Sequence, residues 1–240
     1  MTLHAVTCPA TETGLPAAAR RRNRPGGAMK TAYSVVRRLA AHGRLRPWLD
    51  CTVVEMFQAE TDALRQIGRM PRVYTSRFAA REDSAELGEF FGSPARVAER
   101  LDRGDVCAVV LARQRICAAA WLRLGPTVVE EDWNDVRCRY RIPAGTAWGY
   151  DGLGTKPGAW GSLMACLPGY LAQLGAERMV ASIHYNNHLS INSHLSTGFR
   201  SIGWIGCVRF LGLTFRVYHP ASGGLSRLPG QLGPVEVLKR

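Results

Sequence analysis

The sequence predicts a mixed α/β domain, and three observations carry that prediction. Two short apolar runs, Val106–Ala112 and Ile116–Leu122, flank the polar turn Arg113-Gln114-Arg115, which is the pattern of a buried hairpin. A glycine-rich stretch, Gly152 to Gly161, stands between a strand pattern and a helix pattern. The remaining patterns complete the order strand, two helices, hairpin, strand, glycine loop, helix, strand, helix, strands, with no internal repeat.

In chain order, residues 1–28 are rich in Ala, Pro, Gly and Arg and read as a disordered basic extension. Met29-Lys30 would serve as a translation start, which the intact mass of the native protein would decide. Residues 29–70 are expected to be a helical segment. Ala32, Val35, Val36, Leu39 and Ala40 have helical spacing within Lys30–His42, and Glu55–Ile67 is read as a second helix. The domain proper is drawn over residues 71–220. It opens on a strand at Val73–Phe78, helices at Glu82–Phe91 and Pro94–Leu101, and the hairpin. Residues 125–143 read as a polar insertion with an acidic knot (Glu130, Glu131, Asp132, Asp135), followed by alternation at Val136, Cys138, Tyr140 and Ile142. A strand near Ala147–Leu153 enters the glycine loop. Leu163, Cys166, Leu167, Tyr170, Leu171 and Leu174 then mark a helix that Gly175 stops. Pro168 falls inside that helix, where it removes a hydrogen bond at about 3 kcal/mol unless the helix kinks. A strand at Arg178–Tyr185, a short helix at Leu189–Ser196 and strands at Gly198–Leu211 and Leu213–Tyr218 close the domain. Residues 221–240, with four glycines and two prolines, read as a loose tail.

Composition excludes some functions. No purely apolar run exceeds seven residues, the length of Val106–Ala112, far short of the ~20 that span a bilayer as a helix. The net charge of +12 suggests a nucleic-acid partner, but nine bases and one acid in residues 1–48 account for +8 of it. The other 192 residues carry only +4. Contact with an anionic surface is therefore expected, if anywhere, through residues 20–46. The seven cysteines are never closer than ten residues, which leaves no CxxC pair for zinc or redox chemistry. An odd count with no export-signal pattern points to a reducing cytoplasm.

Two segments carry chemistry. The strand–glycine–helix unit could present backbone N–H groups and a helix N-terminus to a phosphate, although neither GxGxxG nor a Walker loop is present. The segment Asn187-His-Leu-Ser190-Ile-Asn-Ser-His194-Leu-Ser-Thr-Gly198-Phe199 has a more specific spacing: Asn after a strand, Ser three residues on to cap a short helix, then Gly-Phe eight beyond the Ser. With this spacing, from Val73 to His219, the chain resembles the GNAT superfamily of acyl-CoA N-acyltransferases. Arg77-Phe-Ala-Ala-Arg-Glu-Asp83 is similar to that family's first strand and helix start. The resemblance implies a mixed, mostly antiparallel central sheet flanked by helices. It also implies acetyl-CoA (acyl-CoA) as co-substrate and a small-molecule or peptide amine as acceptor.

The residues implied for the cofactor are Leu153, Gly154, Thr155, Gly158, Trp160, Gly161, Ser162, Asn187 and Ser190. The family's Arg/Gln-x-x-Gly-x-Gly/Ala loop is not reproduced. Either Thr155 stands at the Arg/Gln position, with Gly158 and Trp160 at the two small ones, or Trp160 takes the Arg position and Gly161 the first glycine. Acetyl transfer needs a base for the ammonium, a donor to the thioester oxygen and an acid for the thiolate. The resemblance implies that backbone N–H near Leu153-Gly154 meets the oxygen. It makes Asp151 a candidate base through water. His194, four residues before Gly-Phe, becomes a candidate acid where relatives carry tyrosine.

Simpler roles compete: Asp151 as a turn-capping carboxylate, His194 as an inert residue. His184, His188 and His194 lie within eleven residues, but His184 sits on a strand and no carboxylate or cysteine completes a metal site. Trp133 and Trp148 could line an acceptor pocket, and the acidic knot could attract a cationic amine or simply be solvated. The leading reading is an acetyltransferase. The alternatives are a GNAT-like binding module that has lost chemistry, or an acyltransferase that uses an acyl carrier protein.

Overall fold

The computed structural model describes residues 35–36, 38–39, 49–64, 73–133, 136–211, 213–220 and 236–238. Eight strands form the main sheet: β1 (Leu49–Glu60), β2 (Tyr74–Phe78), β3 (Val106–Ala112), β4 (Arg115–Leu124), β7 (Thr146–Gly154), β8 (Arg178–His184), β9 (Arg200–Phe210) and β10 (Leu213–Pro220). Their order is β10-β9-β1-β8-β7-β4-β3-β2, antiparallel throughout except for β7 and β8. A second sheet holds β5 (Thr127–Trp133), β6 (Val136–Ile142) and β11 (Glu236–Leu238) in the order β11-β6-β5. The helices are α1 (Ser84–Phe91), α2 (Pro94–Asp102), α3 (Ala159–Gln173) and α4 (His188–Ser196).

Side-chain alternation separates the two faces of the main sheet. On one face Phe57, Ala147, Met179 and Ile183 pack against Met164, Leu167 and Leu171 of α3 and Ile191 of α4. On the other, Met56, Trp148 and Val180 meet Val129, Tyr140 and Ile142 of the second sheet. Beside the second sheet, Cys107, Val109 and Trp121 pack against Leu87 of α1 and Val97 of α2. Thus α1–α2 and the second sheet lie side by side on the face opposite α3 and α4, and Tyr150 packs at the edge of both. Trp121 and Trp148 are fully buried, each worth on the order of 2–3 kcal/mol in transfer alone.

Three sequence expectations change. Glu55–Glu60, expected in a helix, belongs to β1 in the middle of the sheet, between β8 and β9. A strand buried on both faces has no polar side, so Val53, Val54, Met56, Phe57 and Ala59 imitate helical spacing. The sheet therefore draws a central strand from the segment read as helical. Within residues 125–143, read as a polar insertion, the alternation from Val136 to Ile142 is β6, and the acidic stretch before it is a second strand, β5, with Glu130 and Arg139 facing each other across the ladder. Glu236–Leu238, within the expected tail, pairs with Arg137–Arg139 of β6. The other strands and helices of residues 73–220 fall where the patterns put them, within a few residues.

Of the Lys30–His42 helix, Val35, Val36, Arg38 and Leu39 are described and are helical. The extension 1–28, the basic residues of 20–46 apart from Arg38, and residues 221–235 lie outside the described residues. Among the described residues no helix is long and apolar enough to cross a membrane.

Candidate functional site

The site begins where β7 and β8 part. They pair in parallel only from Thr146↔Arg178 to Gly149↔Ala181; beyond that β7 runs on to Gly154 and β8 to His184 without pairing to each other. From Tyr150 to Gly154, β7 is hydrogen-bonded to β4 alone, so alternate N–H and C=O groups on its other edge face the gap. The β4–β7 register shifts between Ala119 and Trp121, and Asp151, at φ +45°, lies in this irregularity. A non-glycine residue in the left-handed region is strained and re-aims its side chain.

Two cavities flank the divergence. A crevice of about 230 Å³ on the α3–α4 face is lined by Asp151, Gly152, Trp160, Asn187, Ser190 and His194. A larger cleft of about 1000 Å³ on the opposite face runs between α2 and the second sheet. The two share Tyr150, Asp151 and Ser182 as walls.

The crevice thus gathers Asp151, Trp160, Asn187, Ser190 and His194 of the expected residues. Leu153, Gly154, Thr155, Gly158, Gly161 and Ser162 lie outside its wall, in the end of β7, the loop and the first turn of α3. Gly158 is the N-cap of α3, at φ +76°. The amide of Ala159 donates to Lys156 and that of Ser162 to Gly158, which leaves the Trp160 and Gly161 amides for a ligand or solvent. Thr155 is already engaged: its N–H and its hydroxyl both donate to the Cys117 carbonyl, at 2.9 and 3.2 Å. Ser162 is buried and its Oγ donates to the Gly158 carbonyl at 2.9 Å. Asn187, not Ser190, caps α4, its side chain accepting from the Ser190 N–H at 3.1 Å.

Trp160 does not lie over the open amides. Its indole turns across the crevice, lies against Gly152 and donates from Nε1 to Ser193 Oγ at 2.9 Å. A Cβ on Gly152 would collide with the ring, and one on Gly154 would sit 3.0 Å from the Trp160 Cβ. The two glycines of β7 are what let the indole fit. Gly152→Ala is therefore expected to displace the ring, break the Ser193 bond and cost about 1–3 kcal/mol in urea unfolding, and an unchanged midpoint would contradict this packing.

His194 is 6% exposed, with its ring 4.9 Å from Phe199 and 6.3 Å from both Phe57 and Trp160. Burial lowers its pKa to about 4, against the opposing hydrogen bond to the Ser190 carbonyl. Because that carbonyl, 2.8 Å from Nδ1, can only accept, the ring proton sits on Nδ1 and the lone pair on Nε2. Near neutral pH this imidazole has no second proton to give, which counts against the expected role as acid. Asp151 is ion-paired with Arg100 and half-exposed.

On the cleft side, Asp105 organises the floor. Burial alone would raise its carboxyl, but hydrogen bonds from Arg123 (2.6 and 2.8 Å), Arg103 (2.6 and 3.1 Å) and Tyr150 Oη (2.5 Å) outweigh this and hold it below the usual range. Burial, followed by the Asp105 carboxylate, pushes the Tyr150 phenol well above its ordinary value.

Of the acidic knot, the two described carboxylates are both engaged. Glu130 pairs with Arg139 at 2.7 Å, and Glu131 accepts from Trp148 Nε1 at 3.0 Å and Ser182 Oγ at 2.5 Å. The Asp132 side chain and Asp135 lie outside the described residues, as does the Trp133 side chain. Trp148 lines neither the crevice nor the cleft; it is core, stacked 4.6 Å from Tyr140. Arg100 and Asp105 were missed because most of their partners, Asp151 and Tyr150 on β7 and Arg123 on β4, come from distant strands that no local spacing announces. Among the described residues no three His, Cys, Asp or Glu side chains converge as metal ligands.

No family model matches the sequence, and no curated protein matches it. Solved structures do resemble the fold. A functionally unknown conserved protein from Staphylococcus epidermidis ATCC 12228 superposes with a TM-score of 0.51 at 8% identity, over 71% of this chain and 66% of that one. A GNAT-family acetyltransferase from Colwellia psychrerythraea gives 0.49 at 15% identity, over 68% and 57%. A Salmonella typhimurium structure containing acetyl-CoA gives 0.40 at 20%, over 54% and 80%. The chain spans less than two thirds of the length of the first two. What the first of these similarities supports is architecture alone: a mixed, mostly antiparallel sheet flanked by helices and parted between its two parallel strands.

Proposed function

We propose that this chain is an acyl-CoA-dependent N-acyltransferase that moves an acetyl group from acetyl-CoA to an amine of a small molecule or peptide. The observation that carries the reading is the divergence of β7 and β8 beyond Gly149 and Ala181, with a crevice between them that ends at the N-terminus of α3. A cofactor arm built of amides can pair with the open edge of β7 as an added strand would. Its pyrophosphate suits the open amides of Trp160 and Gly161 at the positive end of α3, beside the exposed Lys156. Acetyl-CoA supplies the activated thioester. The backbone near Leu153-Gly154 donates to its carbonyl oxygen, where negative charge develops.

Asp151, a wall of both cavities, takes the amine proton through a water. The carbon–nitrogen bond forms, the carbon–sulfur bond breaks, and the thiolate takes a proton from solvent. His194 is assigned a positioning role, holding α4 to Phe199 and Trp160 as a neutral ring. One observation favours a second reading, a binding module without chemistry: the Trp160 indole spans the crevice from Gly152 to Ser193.

Calorimetry with acetyl-CoA, followed by thiol release across a panel of amines, separates the two. Tight binding with release that falls at least tenfold in Asp151→Asn is the expected result. Binding without release would favour the module, and no binding below millimolar would remove the acyltransferase reading.

A further inference from the structure

The cleft opposite the crevice is lined by six arginines: Arg96, Arg100, Arg103, Arg123, Arg139 and Arg141. Four carboxylates also line it, and each has a partner. Glu99 pairs with Arg103 at 2.9 Å, Glu130 with Arg139, Asp151 with Arg100, and Glu131 is held by Trp148 and Ser182. Arg103 and Arg123 are also committed to Asp105. Arg96 and Arg141 are exposed and make no ion pair among the described residues.

Arg100 is the unusual member. It is 6% exposed, and its guanidinium lies 4.9 Å from the Tyr150 ring centroid and 5.3 Å from that of Trp121. One terminal nitrogen, Nη2, reaches Asp151; the other, Nη1, is buried with no hydrogen-bond partner. A buried donor left unsatisfied costs about 1–3 kcal/mol, more when charged, so natural proteins rarely retain one without a use. A guanidinium between two aromatic faces is also pre-organised, with little rotamer freedom to lose on binding.

We infer that this cleft binds an oxyanion, a carboxylate or phosphate, carried by the acceptor amine, with Arg100 Nη1 as the buried contact and Arg96 and Arg141 at the rim. The inference rests on the acyltransferase reading for the word acceptor, but the anion site stands on the cleft alone. Arg100 and Asp151 then divide the work: the guanidinium holds the anion on one side of the strand divergence, and the carboxylate next to it faces the crevice. The guanidinium fork matches both carboxylate and phosphate geometry. A cationic acceptor without an anionic group is disfavoured, because no carboxylate lining the cleft is unpartnered.

The probes are β-alanine, its neutral amide β-alaninamide, and phosphoethanolamine, added to the full chain at matched ionic strength during thermal unfolding. One or both anions are expected to raise the midpoint by about 2 °C or more above the amide, since a ligand of the folded state stabilises it by mass action. β-Alanine and phosphoethanolamine distinguish carboxylate from phosphate as the source. Arg100→Ala is expected to abolish the shift. Because that change also removes buried packing, the exposed Arg141→Ala is the second variant, expected to weaken apparent affinity about tenfold. Equal shifts with amide and anions, or no shift with any probe, overturn the inference. Acetyl-CoA binding is titrated separately on the same protein. Anion selectivity without it keeps the anion site and removes the acyltransferase reading, and the converse result does the opposite.

Discussion

Replacing Asp105 by asparagine is expected to destabilise the fold by about 3–5 kcal/mol, the cost of breaking a buried charge cluster from one side. The Asp105 side chain is 1% exposed and is held by Arg103 and Arg123, whose side chains are 38% and 14% exposed. Asparagine keeps the shape but leaves both guanidinium groups without their shared counter-charge and takes the strongest acceptor from Tyr150. The sign of the pH effect follows from the lowered carboxyl. Its stabilisation is fully present above the ordinary carboxylate range and is lost as pH falls through the depressed value in the folded state. Urea unfolding from pH 7 to pH 3 should therefore show a gap between wild type and Asp105→Asn that narrows at the acid end. A gap below about 1 kcal/mol at pH 7 would mean that the arginines find other partners. The same variant should loosen Tyr150, the wall common to the cleft and the crevice.

His194 should make the protein acid-sensitive in a different window. Its pKa is about 4 in the folded chain against 6.5 for a free imidazole. Above pH 6.5 both states are neutral and the histidine contributes nothing to the slope. Between 6.5 and 4 the unfolded chain takes up a proton that the folded chain refuses, so stability falls as pH falls. Below 4 the loss levels off, at on the order of 3 kcal/mol. The difference in unfolding free energy between wild type and His194→Phe, followed from pH 7.5 to 4, isolates this group from the carboxylates that titrate alongside it. Parallel curves would show that the imidazole is not buried as neutral. If His194→Phe also lowers acetyl-CoA turnover at pH 7, the loss must come through position, because Nδ1–H is held by Ser190 and the ring carries no further proton there.

Much of the domain was legible because its signals are local. The hairpin β3–β4 announces itself through two apolar runs around Arg113-Gln114-Arg115, and α3 through its apolar stripe ended by Gly175. The Asn187–Phe199 spacing located α4 and the start of β9, because a helix of nine residues is settled within a dozen positions, although the cap is Asn187 and not Ser190. The two misreadings have different causes. β1 is buried on both faces, and the alternation that identifies a strand exists only where one face meets water. β5 is so acidic that it reads as part of a polar insertion, while β6 shows its alternation; the two are held by cross-strand pairs such as Glu130–Arg139 and by packing over Trp148.

By itself the sequence determined the order of most elements from Val73 to His219 and pointed to the two segments where chemistry is proposed. Those properties depend on residues a few positions apart, whose periodicity and turn chemistry survive without a partner. Only the tertiary structure decided how the candidates are disposed. It turned Trp160 away from the loop amides and into the crevice, buried His194 as a neutral ring, and set Asp151 beside Arg100, fifty-one positions earlier in the chain. It also gathered six arginines into one cleft. Burial and charge pairing are properties of neighbours in space, and the sheet that makes these residues neighbours is built from strands whose order is not the order of the chain.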